Sequence, residues 1–218
     1  MAEPEKKTAR RRRLPSAERR QEFINKAIDF FAEEGFESST RGLAKRLGVT
    51  QPLLYRYFPS KEDLISEVYE TVYVHRLKPD WTEMITDRSQ PLEQRLNRFY
   101  EVYTDAIFDK TWLRIFLFSG LKGVDINRRY VELLRERIIE PIVDEARHEF
   151  GLDPETAKDD ELEFAWVMHT GIFYYGVRKL IYEATVLEDK TRMIEDAVAA
   201  FLLGLRRKMV GGSGTGPS

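Results

Sequence analysis

Apolar residues recur at every third or fourth position along most of the chain, and this spacing constrains the fold more than any other feature. Phe23, Ala27, Phe30 and Phe31 illustrate it in the first predicted helix. Such spacing places apolar side chains on one face of an α-helix, whereas a half-buried strand would show alternation, which we do not find convincingly. The sequence therefore predicts an all-α fold of nine or ten helices. A chain of 218 residues is long enough for one or two domains with a real core.

Glycine, proline and capping residues divide this pattern into helices. Gly35 ends the first, Ser39 or Thr40 can cap a short second, and Gly48 stops it. Thr50 is expected to cap a third helix, with Pro52 in its first turn, and Ser60 starts a long fourth through about residue 77. Further helices are predicted near 81–87, 91–109, 111–121, 127–149, 155–186 and 189–209, and Pro141 should kink or split the fourth of these.

The charge is divided unevenly along the chain. The net charge is −2, yet residues 1–61 hold 14 basic and 8 acidic residues, while the remainder holds 21 basic and 29 acidic. This split favours a basic N-terminal module that faces a polyanion and an acidic body that does not. The alternative is that the arm at residues 1–15 only solubilises the protein.

Several classes of site and location are disfavoured by composition. The absence of cysteine removes disulfides, thiolate zinc sites and a cysteine nucleophile. His75, His148 and His169 show no paired spacing, so no metal is expected. We find no catalytic motif and expect no enzyme activity and no cofactor. The N-terminus lacks a secretory pattern, and no apolar run approaches the roughly 20 residues that span a bilayer. We therefore expect a cytoplasmic protein without a membrane partner.

The stretch TRGLAKRLGVTQPLLYRY at residues 40–57 fits a helix-turn-helix motif. Gly48 allows the tight turn, and Val49, Leu54 and Phe58 supply inward contacts. In such a motif the second helix lies in the DNA major groove, where Gln suits adenine and Arg suits guanine. The outer face then consists of Gln51, Pro52, Leu53, Tyr55, Arg56 and Tyr57, with hydroxyls of Thr40 and Thr50 beside it for phosphates.

With the SKEDL that follows at 60–64, these residues resemble the DNA-binding domain of the tetracycline-repressor (TetR) family over positions 20–70. Leu53 and Arg56 depart from the pattern expected there, so an operator sequence cannot be carried over. Tyr55 could instead be internally bonded, Arg56 plain surface, and Lys61 a helix cap. The resemblance implies that Arg41 and Gln51 read bases, Pro52 and Leu53 touch base edges, Tyr55 and Tyr57 contact the backbone, and Thr40 and Lys61 hold phosphates.

The resemblance also implies a homodimer formed by the last two helices, near 155–186 and 189–209. The final helix carries Ala197, Ala199, Ala200 and Gly204, whose small side chains allow close helix approach. Its apolar surface is broader than one buried face needs. The alternative is an ordinary core helix.

The resemblance further implies an effector pocket in the aromatic-rich body. The chemistry of the candidate residues favours a small, mainly apolar effector. Because the fourth helix joins the DNA-binding domain to the body, we expect it to transmit effector binding. The candidate pocket residues are Tyr73, Tyr103, Trp112, Phe116, Met168, His169 and Phe173. Each of them could instead belong to the core, and His169 could be a core imidazole whose hydrogen bonds are satisfied.

We therefore expect a flexible basic arm (1–15), a helix-turn-helix domain (16–65), a ligand-binding and dimerisation domain (66–209) and a flexible tail (210–218). The expected function is a ligand-responsive repressor that binds a palindromic operator on double-stranded DNA as a dimer. The alternatives are a ligand-independent or activating regulator whose body only dimerises or binds a protein, and a sequence-neutral DNA binder.

Overall fold

A computed structural model describes residues 15–74, 80–121, 126–152 and 158–211. Predictions for the arm at 1–14, the end of the fourth helix at 75–77, the helix start at 155–157 and the tail at 212–218 lie outside these ranges. Within them the regular structure is helical, which confirms the all-α prediction. The elements are α1 (Ser16–Glu34), α2 (Thr40–Leu47), α3 (Gln51–Tyr57), α4 (Lys61–Val72), α5 (Asp80–Thr86), α6 (Leu92–Ile107), α7 (Lys110–Leu121), α8 (Ile126–Leu134), a π-helical turn (Arg135–Ile139), α9 (Glu140–Glu149), α10 (Asp159–Leu180) and α11 (Lys190–Gly211).

The first three helices form a helix-turn-helix whose ends follow local capping rules. Ser39 accepts a hydrogen bond from the backbone N–H of Gly42 at 3.0 Å and so caps α2. Gly48 ends α2 in the left-handed region at φ 67°, which glycine adopts without a Cβ penalty. Ser60 and Asp63 form a reciprocal capping box at the start of α4. The prediction for Thr50 was wrong in one respect. Thr50 occupies the N-cap position of α3, but its side chain makes no capping hydrogen bond.

Pro141 lies at the junction of a π-helical turn and α9, where the sequence predicted a kink or a split. Because proline has no N–H, the carbonyl of Arg137 four residues earlier loses its usual helical donor. Just before the proline, the backbone N–H of Glu140 donates to the carbonyl of Arg135, which is five residues back where an α-helix would use four. The hydroxyl of Thr82 on α5 donates to the Arg137 carbonyl at 3.0 Å. Thus the chain accommodates the proline by widening one turn and by satisfying the released carbonyl from a neighbouring helix.

The helix-turn-helix joins the body at the C-terminal end of α1. Arg114 of α7 donates from Nε to the carbonyl of Ala32 at 2.5 Å and from an Nη to that of Glu33 at 3.3 Å. The side chain of Phe118, also on α7, packs over Gly35. From the other side, Arg20 of α1 forms an ion pair with Glu67 of α4. Both α4 and α7 therefore connect the N-terminal helices to the rest of the molecule.

The C-terminal part of the body consists of α10 and α11, two long helices in contact whose bounds differ from the prediction. Helix α10 ends at Leu180 instead of residue 186. The chain leaves the helix because the backbone N–H of Tyr182 bonds to the carbonyl of Val177, and Glu183 adopts φ 52°. The Tyr175 hydroxyl then holds the connecting segment by donating to the Leu187 carbonyl at 2.6 Å. None of the described helices combines the length and apolar character that a bilayer-spanning segment needs.

Candidate nucleic-acid interface

The two short helices divide their side chains cleanly between the core and the outside. The buried side chains of α2 are Leu43, Ala44 and Leu47. Leu54 of α3 and Phe58, which directly follows α3, are buried as well. Val49 is half-buried. This inward set fixes which face of α3 is left outside. On α3, Pro52 and Arg56 are exposed and Gln51 and Leu53 are half-buried. Arg41 of α2 is exposed as well.

Three polar side chains of this face are bonded to each other. Gln51 Nε2 donates to Thr40 Oγ1 at 2.9 Å, and Thr40 Oγ1 lies 3.0 Å from the hydroxyl of Tyr55. We call these three residues the hydroxyl–amide triad. Thr40 is the first residue of α2, whereas Gln51 and Tyr55 lie on consecutive turns of α3. The triad thus ties the two helices together at the outer surface.

Other predicted contact residues are placed in different ways. Tyr57 is half-buried, and its ring meets Phe23 edge-on at a centroid distance of 5.1 Å. Lys61 is also half-buried and donates from Nζ to the carbonyl of Phe36 at 2.5 Å. Lys61 therefore closes the segment after α1, and a phosphate contact would have to compete with that bond. Thr50 is exposed and leaves its hydroxyl outside the cap.

The interior of the body contains a continuous aromatic cluster. Tyr73, at the end of α4, lies 5.2 Å from Trp112 and 5.3 Å from Tyr130 between ring centroids. Trp112 and Phe116 stack at 5.4 Å, and Phe116 meets Phe173 of α10 at the same distance. We call these five residues the aromatic cluster. It brings together four of the predicted pocket residues and adds Tyr130.

His169 lies beside this cluster with both ring nitrogens engaged. Its Nδ1 is 3.3 Å from the hydroxyl of Tyr100, and its Nε2 is 3.1 Å from that of Tyr103. The Tyr103 hydroxyl continues to that of Tyr130 at 3.4 Å, which links His169 to the aromatic cluster. Burial lowers the pKa of His169 to about 4, because the charged imidazolium loses its hydration. Burial also raises the pKa of Tyr100 and Tyr103.

Met168 does not join the other predicted pocket residues. It lines a surface groove of about 380 Å³ between α10 and α11, together with Phe164, Val167 and Gly171. Successive residues of a helix point about 100° apart, so Met168 and His169 face different neighbours. The sequence also missed Tyr130, whose signal was its spacing of four from the buried Leu134 and eight from Ile138.

Comparisons with known proteins agree with this geometry. Residues 23–68 match the sequence profile of "Bacterial regulatory proteins, tetR family". The match covers α2, α3 and parts of α1 and α4. It is 36% identical over 63 residues to the HTH-type transcriptional regulator AcrR of Shigella flexneri, covering 28% of this chain and 29% of that protein. It thus spans less than a third of that relative's length.

Two further similarities extend beyond this segment into the body. The chain is 24% identical over 194 residues to the HTH-type transcriptional activator FasR of Mycolicibacterium smegmatis, covering 71% of this chain and 84% of that protein. A crystal structure of a tetR-family regulator from Pseudomonas syringae pv. tomato superposes with a TM-score of 0.63 at 21% identity, covering 86% and 97% of the two chains. This structural similarity supports the shared fold.

The body should lose stability in mild acid because of His169. In the unfolded chain the imidazole binds a proton below about pH 6.5, whereas in the fold it does so only below about pH 4. Between these values the unfolded state holds more protons, so stability falls as the pH falls. The shift corresponds to about 3 kcal/mol.

Denaturant unfolding of the wild type and of His169→Gln between pH 7 and pH 4 measures this effect. Glutamine offers a donor and an acceptor to the two tyrosines but does not titrate. We expect the wild type to lose about 3 kcal/mol more than the variant over this range. Equal losses in the two proteins would contradict the assignment to His169.

Proposed function

We propose that this chain regulates transcription by binding a palindromic DNA operator as a homodimer, through α2 and α3 of each protomer. The observation that carries the proposal is the outer face of α3. It presents exposed Arg56 and Pro52 and the hydroxyl–amide triad, within the segment that matches the tetR-family profile. Arginine and glutamine are the side chains that read guanine and adenine in the major groove. A buried or purely acidic face would not suit this role.

Base reading by Gln51 is tested by selecting bound sequences from a random DNA pool at near-physiological salt. We expect the wild type to enrich one palindrome. Gln51→Ala should lose discrimination at one symmetric base pair per half-site, at about 1–3 kcal/mol each. Gln21→Ala is a matched control, because Gln21 is an exposed glutamine on α1 whose side chain bonds to Asn25. Weak binding with a steep salt dependence and no enriched sequence would instead indicate a sequence-neutral binder.

The proposed dimer interface is the outer face of α10 and α11. Val167 is 62% exposed and Leu203 75% exposed, and Tyr174 and Val210 add apolar surface to the same helices. The groove between the helices is lined mainly by apolar side chains. Gly204 supports this surface because a Cβ there would lie 2.7 Å from Phe164, whose ring stacks on Phe201. A two-fold axis through such a face would cover it with the same face of a second protomer.

Leu203→Glu should convert the dimer to a monomer and weaken operator binding, because the carboxylate would lose its hydration at the interface. The protomer should remain folded, since Leu203 is exposed and glutamate favours helix. Sedimentation measures the mass, and circular dichroism checks the fold. Leu121→Glu on α7, where the side chain is 81% exposed, is the control. A Leu203→Glu protein that stays dimeric would place the interface elsewhere.

We further propose that a small, mainly apolar effector enters the body beside the aromatic cluster. Trp81 Nε1 is buried and has no hydrogen-bond acceptor among the described residues, and the Trp81 ring meets Tyr103 edge-on at 5.2 Å. A ligand acceptor could satisfy that N–H. Tyr73 on α4 and Trp112 on α7 would sense the ligand. The same two helices hold α1 through Glu67 and Arg114, so their displacement would move the DNA-binding helices.

The coupling is tested by screening apolar small molecules for thermal stabilisation of the protein, then titrating the operator complex with each hit. We expect at least one stabilising compound to change operator affinity about fivefold or more. Arg114→Ala should reduce that change more than it alters compound affinity. If stabilising compounds leave operator affinity unchanged, the body only dimerises or binds a protein.

The direction of control separates two forms of this proposal. A repressor needs only to occupy a promoter, whereas an activator needs a surface for the transcription machinery. The similarity to a relative named as an activator favours testing both. A reporter gene driven by the selected palindrome distinguishes them.

A further inference from the structure

The hydroxyl–amide triad leaves a specific set of donors and acceptors facing outward. A glutamine side chain has two N–H donors and one carbonyl acceptor. One N–H of Gln51 is used by Thr40 Oγ1 at 2.9 Å. The other N–H and the carbonyl Oε1 make no hydrogen bond to the side chains that the structure describes. This pair matches the major-groove edge of adenine, where N7 accepts and the N6 amino group donates.

The two hydroxyls of the triad retain one hydrogen-bond donor between them. Thr40 Oγ1 and the Tyr55 hydroxyl lie 3.0 Å apart and share one hydrogen bond, in which either can donate. That bond uses one of their two hydrogens, so one hydroxyl hydrogen remains in either arrangement. Tyr55 is 39% exposed, so this end of the triad reaches the surface. The remaining hydrogen can donate to a phosphate oxygen, since hydroxyls commonly make such contacts with the DNA backbone.

We propose that Thr40 and Tyr55 are positioning residues that hold the Gln51 amide for adenine, before DNA is bound. This inference rests on the proposed function and adds to it how the Gln51 amide is held. The triad fixes the long side chain of Gln51 in the free protein, so less conformational entropy is lost on binding. The same hydroxyls link the phosphate backbone to the base reader. A displacement of the DNA backbone would therefore change the position of the Gln51 side-chain amide.

A different role for Tyr55 makes a different prediction. If its hydroxyl only held a phosphate, Tyr55→Phe would weaken binding to every sequence by the same factor, because phosphate contacts carry no sequence information. If Tyr55 positions Gln51, removal of the hydroxyl must lower the preference for adenine. The ratio of affinities for two operators therefore separates the roles.

The experiment uses the full-length protein and two DNA duplexes. One is the palindrome selected by the wild type, and the other carries guanine in place of the adenine assigned to Gln51 in both half-sites. Fluorescence anisotropy gives the affinity ratio for the wild type, Thr40→Val, Tyr55→Phe, Gln51→Ala and Gln51→Ala/Tyr55→Phe. We expect Tyr55→Phe and Thr40→Val each to lower the ratio about three- to tenfold. Tyr55→Phe should not lower it further in the Gln51→Ala background.

An unchanged ratio in Tyr55→Phe, with both affinities lowered equally, would overturn the positioning role of Tyr55. A further decrease of the ratio in the Gln51→Ala background would also overturn it, because Tyr55 would then act independently of Gln51. Selection of a base other than adenine at the Gln51 position would overturn the base assignment. Gln21→Ala is the matched control, since Gln21 is an exposed glutamine of α1 outside the triad.

A measurement without DNA separates this inference from the proposed function. The side-chain amide of Gln51 is assigned by comparing NMR spectra of the wild type and Gln51→Ala, and its ¹⁵N relaxation is measured in the free protein. We expect a rigid amide in the wild type and a mobile one in Thr40→Val. A mobile wild-type amide would overturn the triad whatever the DNA results. A rigid amide in a protein without sequence preference would overturn the reading of adenine and, separately, the proposed function.

Discussion

The C-terminal end of α1 is the contact on which the arrangement of the molecule depends. The last carbonyls of a helix carry partial negative charge and lack helical donors. Here Arg114 of α7 binds those of Ala32 and Glu33, and Lys61 of α4 binds that of Phe36 just beyond. Two cationic side chains, one from α7 and one from α4, thus bind carbonyl groups at and just after the end of α1. Because α1 supports α2 and α3, the position of the outer face follows from these bonds.

The interior follows a different rule, because it must bury polar groups without water. His169, Tyr100, Tyr103 and Tyr130 satisfy one another in a connected set of hydrogen bonds. Such a network is stable only when each member has a partner, since a buried polar group left alone costs free energy. The fold therefore requires the neutral imidazole, and protonation of His169 at low pH destabilises it. The same network ties α6 to α8 and α10 across the body.

Local signals explain why the helix-turn-helix was predictable from sequence. Ser39, Gly48 and Ser60 act within three or four residues of themselves, so their capping roles are visible in the sequence. Contacts between distant residues explain the errors and omissions. The segment after α10 is held by the Tyr175 bond to Leu187. The pKa of His169 depends on its burial beside tyrosines that lie 66 and 69 residues away in the sequence. Met168 lies on a helix with apolar residues on several sides, where spacing alone does not select one neighbour. The bond from Gln51 to Thr40 spans eleven residues and needed the structure.

These contacts also constrain the chemistry of the proposed effector. The hydroxyls of the histidine network already have partners, so a ligand that displaced them would have to replace several hydrogen bonds. Trp81 Nε1 is instead a buried donor without an acceptor in the described residues. A ligand placed there gains most from a hydrogen-bond acceptor and gains little from a further donor. A carboxylate is disfavoured, since a buried charge needs a counter-charge. The environment therefore favours an apolar molecule with a neutral acceptor, such as a carbonyl or an ether oxygen, at the edge of its apolar body.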